Sequence, residues 1–296
     1  MHHMLRIFII LFALASTITV DAQSEAALSK AKQPLDTPKG GAFVVLSEKE
    51  SRAGAYVKKG GTQKGIHETS RFPMYSVAKF PQALYVADFL TRSNIDLNAE
   101  VIVRKEDLMQ DTWSPMLNTF EDQRTITYSE LLALSLQQSD NNACDILFQR
   151  CGGPRAAEKY IRKLGFKDIH IQKTEKQMHA KPALSNKNWC TPKSMVALLE
   201  WFLTHHNDNE SLRYIWTLMA ECQTDGDRLP AAVPPTAKVV HKTGTGYPLP
   251  SGLPSGICDV GIIILDNGQQ FPIAVFITNP SSQSQISDVA KQLLEQ

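Results

Sequence analysis

Strand-like segments near both ends of the chain enclose a long helical middle, and this order constrains the fold. Five short apolar runs have the length of strands, two near the start and three near the end: residues 42–46, 54–57, 238–243, 260–265 and 271–278. Between residues 76 and 219 the apolar residues instead recur at helical intervals. We therefore predict an α+β fold, in which both termini build an antiparallel sheet flanked by helices and an all-helical domain is inserted between them.

The sheet domain is predicted to comprise residues 23–75 and 221–296, and the helical domain residues 76–220. Residues 173–190, within the helical domain, lack apolar periodicity and contain the turn-favouring residues Pro182, Ser185, Asn186 and Asn188. This segment is predicted to be a long irregular loop. Loops of this length inside a compact domain are usually functional, so we expect it to border an active-site cleft where the two parts meet.

Residues 1–22 have the pattern of a secretory signal peptide. Arg6 precedes an apolar run at 7–15, and small or polar residues then lead to Ala22, after which we expect cleavage. The apolar run is too short to span a bilayer comfortably, although an uncleaved anchor is the alternative. We expect a monomer that is secreted across the inner membrane into the periplasm and has no stable membrane association after cleavage.

The charge and the cysteines exclude several other classes of protein. Lysine plus arginine number 31 and aspartate plus glutamate 30, with no long charged run, which argues against a nucleic-acid partner. The five cysteines form neither a CxxC pair nor a His/Cys metal cluster, and their odd number leaves at least one thiol unpaired within the chain. The spacing leaves open which of them, if any, are bridged: Cys144, Cys151, Cys190, Cys222 and Cys258.

Three short motifs carry the chemistry. Ser76 and Lys79 are three residues apart and lie on one helical face. A serine hydroxyl is a poor nucleophile until a base takes its proton, and a neighbouring amine supplies one. Ser29 and Lys32 have the same spacing but lie in a polar helix-prone segment, whereas apolar residues surround Ser76. The other two motifs, Ser139-Asp140-Asn141 and Lys242-Thr243-Gly244, are by themselves equally compatible with a turn and a strand end.

The three motifs together, in this order, are the signature of class A β-lactamases and penicillin-binding proteins. The chain therefore resembles class A serine β-lactamases over essentially its whole mature length. Within that class it is most similar to the PER-like and CfxA-like extended-spectrum cephalosporinases. Glu175, on the long loop, matches the glutamate that separates the hydrolases from the transpeptidases.

The resemblance implies a mechanism for these residues. Ser76 attacks the β-lactam carbonyl, and either Lys79 or Glu175 acting through water is the acylation base. Ser139 relays the proton to the leaving nitrogen. Glu175 then activates the water for deacylation, and His179 helps to hold that water. The only partners implied are a small-molecule β-lactam and the catalytic water, with no metal or organic cofactor.

The resemblance also implies a set of substrate-binding residues. The substrate carboxylate is expected to dock against the basic and hydroxyl side chains of the third motif and against an upstream arginine. An asparagine positions the acylamide group, and an exposed aromatic flanks the cleft. The backbone N–H groups of Ser76 and Thr245 form the oxyanion hole. The complete binding set is Tyr75, Trp113, Asn141, His179, Arg228, Lys242, Thr243, Gly244 and Thr245.

The chain departs from the common class A pattern in two places, and it also lacks a disulfide found in one subgroup. Lys173 and Asn188 occupy the positions of an Arg/Asp ion pair that often pins the long loop, and they cannot form a charge-assisted fork. The connecting segment at 244–256 is longer than is usual for class A enzymes, so the cleft is expected to be wide and to favour bulky oxyimino cephalosporins. Tyr75 and Gly246 stand where class A carbapenemases have a disulfide. The alternatives are a penicillin-binding DD-peptidase, a non-hydrolysing β-lactam sensor domain and, more distantly, a serine-dependent glutaminase.

Overall fold

The computed structural model describes residues 50–295. The predicted signal peptide at 1–22 and the predicted strand at 42–46 lie outside these residues. The strands are β1 (Arg52–Lys59), β2 (Thr62–Ile66), β3 (Phe72–Pro73), β4 (Glu100–Arg104), β5 (Gln123–Thr127), β6 (Ile169–His170), β7 (Trp189–Cys190), β8 (Lys238–Thr245), β9 (Gly256–Ile264) and β10 (Gln270–Thr278). The α-helices are α1 (Lys79–Ser93), α2 (Tyr128–Gln137), α3 (Asn141–Arg150), α4 (Pro154–Lys163), α5 (Glu175–Ala180), α6 (Pro192–His205), α7 (Glu210–Ala220) and α8 (Gln285–Leu294).

A five-stranded antiparallel sheet is built from both ends of the described chain, in the order β2-β1-β10-β9-β8. Successive side chains of a strand point to opposite faces of the sheet. On β10, Phe276 accordingly packs in the core shared with α6, whereas Val275 and Ile277 pack in the core covered by α8. Because both faces are covered, β9 and β10 are buried along nearly their whole length. The predicted α+β sheet architecture is confirmed.

The inserted part is mainly helical and also contains short strands. β4 pairs with β5, and β3, β7 and β6 form a second small sheet. Helix α1 lies at the centre, and ten of its fifteen residues are buried. Its first residue, Lys79, directly follows a 3₁₀ helix at Tyr75–Ala78. Both motif residues, Ser76 and Lys79, are therefore held against the core of the molecule.

The long loop is more ordered than we predicted. It contains α5 and a 3₁₀ helix at Pro182–Lys187, so the expectation of an irregular segment was wrong in this respect. Thr174 caps α5: its side chain accepts a hydrogen bond from the Gln177 N–H, and the Gln177 side chain accepts one from the Thr174 N–H. This reciprocal cap allows a helix of only six residues to begin at Glu175.

The five cysteines, all within the described residues, are unpaired thiols. The question of a disulfide that the spacing left open is thus answered for this structure. No helix between residues 50 and 295 combines the length and the hydropathy needed to cross a membrane.

Candidate active site

Ser76 is the exposed member of an otherwise buried turn. The side chains before and after it belong to the core, while Ser76 itself is partly exposed. Tyr75 has a φ of 45°, in the left-handed region that non-glycine residues rarely adopt. Its ring fills space left by two glycines, since a Cβ at Gly246 or at Gly256 would lie 2.7 Å from a ring atom of Tyr75. The packing of Tyr75 thus fixes the turn that presents Ser76.

Lys79 lies at the centre of a hydrogen-bonded cluster. Its Nζ is 3.0 Å from Ser76 Oγ, 2.9 Å from the Ser139 carbonyl oxygen and 2.7 Å from Asn141 Oδ1. Glu175 Oε1 is 3.2 Å from the same nitrogen. Lys79 and Glu175 are both buried, so their ion pair is shielded from water. Lys79 therefore connects the serine of the first motif, the second motif and the glutamate of the loop.

Asp140, the middle residue of the second motif, is structural. Its buried carboxylate caps α3 by accepting the Ala143 N–H, and it also accepts hydrogen bonds from the Ser114 hydroxyl and the Met116 N–H. These bonds fix the turn in which Ser139 has a φ of 58°. The two flanking residues of the motif are thereby aimed at Lys79.

Lys242 approaches the same cluster from the sheet. β8 is an edge strand, and the buried Lys242 places its Nζ 3.0 Å from Ser139 Oγ. The Ser139 hydroxyl is also 3.4 Å from Lys79 Nζ, so it lies between two amines. Burial lowers the pKa of Lys242 to about 8. The adjacent Thr243 is also buried, and its hydroxyl is 2.6 Å from that of Thr224.

Gly244 allows β8 to approach Ser76 closely. A Cβ at this position would lie 2.8 Å from the Met74 carbonyl oxygen and 3.0 Å from the Ser76 nitrogen, so any larger residue would force the strand away. The Gly246 N–H bonds across to Gly256 on β9. Because neighbouring residues of a strand point their N–H groups to opposite sides, the Thr245 N–H faces the free edge of β8, where Ser76 lies.

Asp145 fixes the loop that carries Glu175. It lies one helical turn after Asn141 on α3, and its carboxylate accepts the backbone N–H groups of Glu175 and Lys176 at 2.7 and 2.8 Å. These are free N–H groups at the start of α5. Burial raises the pKa of Asp145 to about 7. Sequence reasoning missed this residue, although its spacing of four from Asn141 places both on one helical face.

Asn188 closes the loop in place of an ion pair. Its Oδ1 accepts the N–H groups of Gln172 and Lys173 at 2.8 and 2.9 Å, and its Nδ2 donates to the Lys173 carbonyl at 2.9 Å. The predicted lack of a charged fork between these two positions is borne out, because the contact uses the backbone of Lys173 instead of its ammonium group. A neutral amide thus clamps the two ends of the loop.

His179 and Trp113 lie at the outer edge of the cleft. His179 Nε2 is 3.0 Å from Asp111 Oδ2, and this hydrogen bond lowers the pKa of Asp111. His179 therefore links the loop to the opposite segment, a contact that its expected role beside the catalytic water did not include. Trp113 is 65% exposed, and its indole N–H bonds to the Gln138 carbonyl at 2.9 Å. A core role for this tryptophan is excluded.

Arg228 differs from the expectation of direct contact with substrate. Its side chain is completely buried, and its guanidinium donates to the carbonyl oxygens of Gly244 and Cys258 at 2.9 and 3.1 Å. It also donates to Thr245 Oγ1 at 2.7 Å and pairs with Asp225 at 3.2 Å. The prediction of a direct ligand was wrong because the side chain is fully buried and both terminal nitrogens of the guanidinium already have these acceptors. Arg228 is a positioning residue that acts through Thr245.

The described residues contain no group of three or more His, Cys, Asp or Glu side chains placed to hold a metal ion. The polar groups near Ser76 form one cluster that is connected through Lys79 and Ser139, and they come from three helices, one turn and one strand. They are Lys79, Ser139, Asn141, Glu175 and Lys242.

Comparisons with known proteins agree with this geometry. The model of the β-lactamase enzyme family matches residues 43–296. The chain is 35% identical to β-lactamase VEB-1 of Pseudomonas aeruginosa, over 83% of this chain and 86% of that protein. It is 33% identical to the extended-spectrum β-lactamase PER-1 of the same organism, over 75% and 73% of the two chains.

Solved structures give the same result. The TLA-3 extended-spectrum β-lactamase superimposes with a TM-score of 0.79 at 32% identity, covering 83% of this chain and 92% of that one. A class A β-lactamase from Bacteroides cellulosilyticus superimposes with a TM-score of 0.74 at 30% identity, covering 82% and 92%. The resemblance drawn from the three motifs is confirmed: the chain belongs to the β-lactamase enzyme family and has the class A fold.

Proposed function

We propose that this protein is a serine β-lactamase that hydrolyses penicillins and, above all, cephalosporins through an acyl ester on Ser76. The observation that carries the proposal is the contact of Glu175 with Lys79, which in turn contacts Ser76. An acyl ester on Ser76 would lie beside a carboxylate held on a clamped loop. The DD-peptidase and sensor alternatives lack such a deacylating group.

Acylation uses the amine at the centre of the cluster. Lys79 transfers one of its protons to Glu175 and then accepts the proton of Ser76 Oγ as that oxygen attacks the β-lactam carbonyl. The backbone N–H groups of Ser76 and Thr245 stabilise the resulting oxyanion. Donors of this kind are worth about 3 kcal/mol each.

The leaving nitrogen receives its proton from Ser139. This hydroxyl lies between Lys79 and Lys242, so a proton given to the nitrogen is replaced from Lys79. Opening of the ring then leaves an acyl ester on Ser76. Glu175 first returns its proton to Lys79, which is neutral at this stage, and then removes a proton from a water molecule as that water attacks the ester. As the acyl C–O bond breaks, the serine oxygen takes this proton and the hydroxyl is regenerated.

The substrate carboxylate is bound at the end of β8. Thr245 is exposed there, and its hydroxyl is oriented by Arg228. Lys242 contributes its positive charge from below the surface, and the Thr243 hydroxyl is held in place by Thr224. Asn141, fixed by the Thr112 hydroxyl at 2.9 Å, is aimed at the acylamide group.

A cavity beside Tyr75 supports the preference for bulky cephalosporins. Its volume is about 270 Å³, and it lies between the long loop and the connecting segment at 244–256. Pro182 and Asn186 line one side, and Tyr247 and Leu249 the other. An oxyimino substituent on the acylamide group has space to extend into this cavity.

The test is turnover of a chromogenic cephalosporin by the purified mature protein, with the protein mass followed in parallel. Sustained turnover that Ser76→Ala abolishes supports the proposal. A single stoichiometric adduct without turnover would favour a sensor or a transpeptidase. A specificity constant for an oxyimino cephalosporin far below that for benzylpenicillin would contradict the preference.

We also propose export to the periplasm, which rests on the sequence of residues 1–22 alone. Expression in a Gram-negative host should yield a mature periplasmic protein that begins at Gln23. A full-length protein retained in the cytoplasm or the membrane would contradict this proposal.

A further inference from the structure

A second group of reactive side chains lies behind Lys242. Cys222 follows α7, His241 is on β8, and Asp259 is on the neighbouring strand β9. His241 Nδ1 is 2.9 Å and 3.1 Å from the two carboxylate oxygens of Asp259, and the same imidazole lies close enough to the Cys222 thiol to influence its pKa. Gly261 leaves room for His241, since a Cβ there would lie 2.7 Å from the histidine Cβ. A thiol, an imidazole and a carboxylate thus lie next to one another.

The charges around Cys222 favour its thiolate. Burial alone would lower the pKa of His241, but the charge and hydrogen bond of Asp259 raise it to about 10. Burial alone would raise the pKa of Cys222, but the neighbouring His241 lowers it to about 7, and Lys242 acts in the same direction. The other charged groups that act on Lys242 are Lys79, Asp225 and Asp259. A thiolate is the form of cysteine that reacts with electrophiles.

Cys222 also differs from the other four cysteines in its exposure. It is partly exposed, whereas the others are buried and their thiols have raised pKa values. Both conditions for reaction, access and thiolate character, are therefore met at one cysteine.

Cys222 is connected to the substrate-binding end of β8. Its Sγ is 3.4 Å from the Thr224 hydroxyl, and that hydroxyl is 2.6 Å from the Thr243 hydroxyl. A group added to the sulfur would displace Thr224 and remove the partner that fixes Thr243.

We propose that Cys222 is a modification site for small disulfides and other soft electrophiles, and that its modification weakens β-lactam binding through Thr224 and Thr243. In the disulfide reaction, the Cys222 thiolate attacks one sulfur of the reagent. The S–S bond of the reagent breaks as a new S–S bond to Cys222 forms, and the thiolate that leaves takes a proton from water. The effect on binding rests on the proposed function, whereas the reactivity of the thiol does not.

The first experiment treats the native protein with 5,5′-dithiobis(2-nitrobenzoate) at pH 7. We expect one equivalent of thiol to react rapidly, with the adduct mapped to Cys222 by mass spectrometry, and five equivalents after unfolding. Cys222→Ala should lack the rapid equivalent. A native protein with no rapid equivalent, or one labelled first at a buried cysteine, overturns the proposal.

The second experiment tests the role of His241. Alkylation of the wild-type protein by iodoacetamide should follow a titration near pH 7, and a midpoint near pH 9 would overturn the proposal. In His241→Gln the thiolate fraction at pH 7 should fall about 50-fold, partly offset by higher intrinsic nucleophilicity, so labelling should slow about sixfold. At pH 9.5, where both thiols are largely ionised, the more basic thiolate of the variant should instead react about sixfold faster than that of the wild type. If His241→Gln fails to fold, the pH dependence of alkylation in the wild-type protein still tests the proposal.

The third experiment measures the coupling to the active site. Modified protein should show a KM for a chromogenic cephalosporin raised at least about threefold, reversed by dithiothreitol, and Cys222→Ala should be insensitive to the reagent. Unchanged kinetics after complete modification overturn the coupling. If the unmodified protein has no turnover, the proposed function fails, while the thiol experiments still decide the modification site.

Discussion

Replacement of Arg228 by alanine tests how a buried cation prepares the carboxylate-binding end of β8. The guanidinium holds two carbonyl oxygens and the Thr245 hydroxyl at 2.7–3.1 Å. Its removal leaves these acceptors without their charged donor and leaves Asp225 without its partner. The substitution should therefore reduce both the stability of the protein and its affinity for substrate.

The two effects differ in size. Breaking a buried ion pair by removing one partner costs about 3–5 kcal/mol. The lower end applies, because the Asp225 side chain is 29% exposed and water can solvate it. We expect a loss of about 3 kcal/mol in the free energy of unfolding. Without its orienting donor, the Thr245 hydroxyl should lose about one hydrogen bond to the substrate carboxylate. This loss weakens the binding free energy of the substrate by roughly 1.4 kcal/mol, which corresponds to a rise in KM of about tenfold.

The assay combines urea unfolding with steady-state kinetics on one cephalosporin. Arg228→Lys, which keeps the charge but lacks the planar fork, should give intermediate values in both measurements. Arg155→Ala removes an exposed arginine and should change the unfolding free energy by less than about 0.5 kcal/mol. An unchanged KM in Arg228→Ala, or a loss confined to kcat, would refute the positioning role.

Three further substitutions test other parts of the site. Because burial lowers the pKa of Lys242 to about 8, its charge is present below that pH and lost above it. The specificity constant should therefore fall above pH 8. Lys242→Arg stays charged and should abolish this decline. If the decline persists in Lys242→Arg, another group is responsible for it. Asn188→Ala removes three hydrogen bonds from the loop. It should slow deacylation about tenfold in stopped-flow measurements, whereas equal slowing of acylation contradicts the clamp. Gly244→Ala should lower kcat about 100-fold with the fold retained by circular dichroism, and a wild-type kcat would show that close approach of β8 is unnecessary.

The residues predicted from sequence were those whose chemistry is carried by short motifs. Ser76, Lys79, Ser139, Lys242 and Glu175 converge as their resemblance to the family implied. Their convergence depends on contacts between elements distant in the chain, which local periodicity does not report. The family pattern supplied that information.

The residues that sequence reasoning misplaced or missed act through long-range contacts. The burial of Arg228 was not predicted, since arginine is almost never fully buried unless it is paired. Asp225, three residues earlier, was the available sign of such a pair. The role of Asp145 becomes apparent only in the folded protein, where α3 packs against α5. The capping pattern of Thr174 and Gln177 was a local signal of α5 that the search for apolar periodicity overlooked.

The short strands illustrate the same limit. β4 alternates buried and exposed residues over only five positions, and β3, β6 and β7 have two residues each. Segments this short do not contain enough periods to be distinguished from their helical surroundings. Their existence depends on the pairing partner that tertiary structure provides.

Glu175 is proposed to be the group that makes the enzyme a hydrolase, because it removes the acyl group from Ser76. The most direct test mixes Glu175→Gln with a penicillin, which adds its full mass when the ring opens, and follows the protein mass over time. We expect acylation of this variant to be slower, because Lys79 loses its proton acceptor, but the adduct on Ser76 should still form and persist for minutes. The wild type and the exposed-carboxylate control Glu121→Gln should turn over without an adduct. Turnover by Glu175→Gln at the wild-type rate, with no adduct, would contradict it.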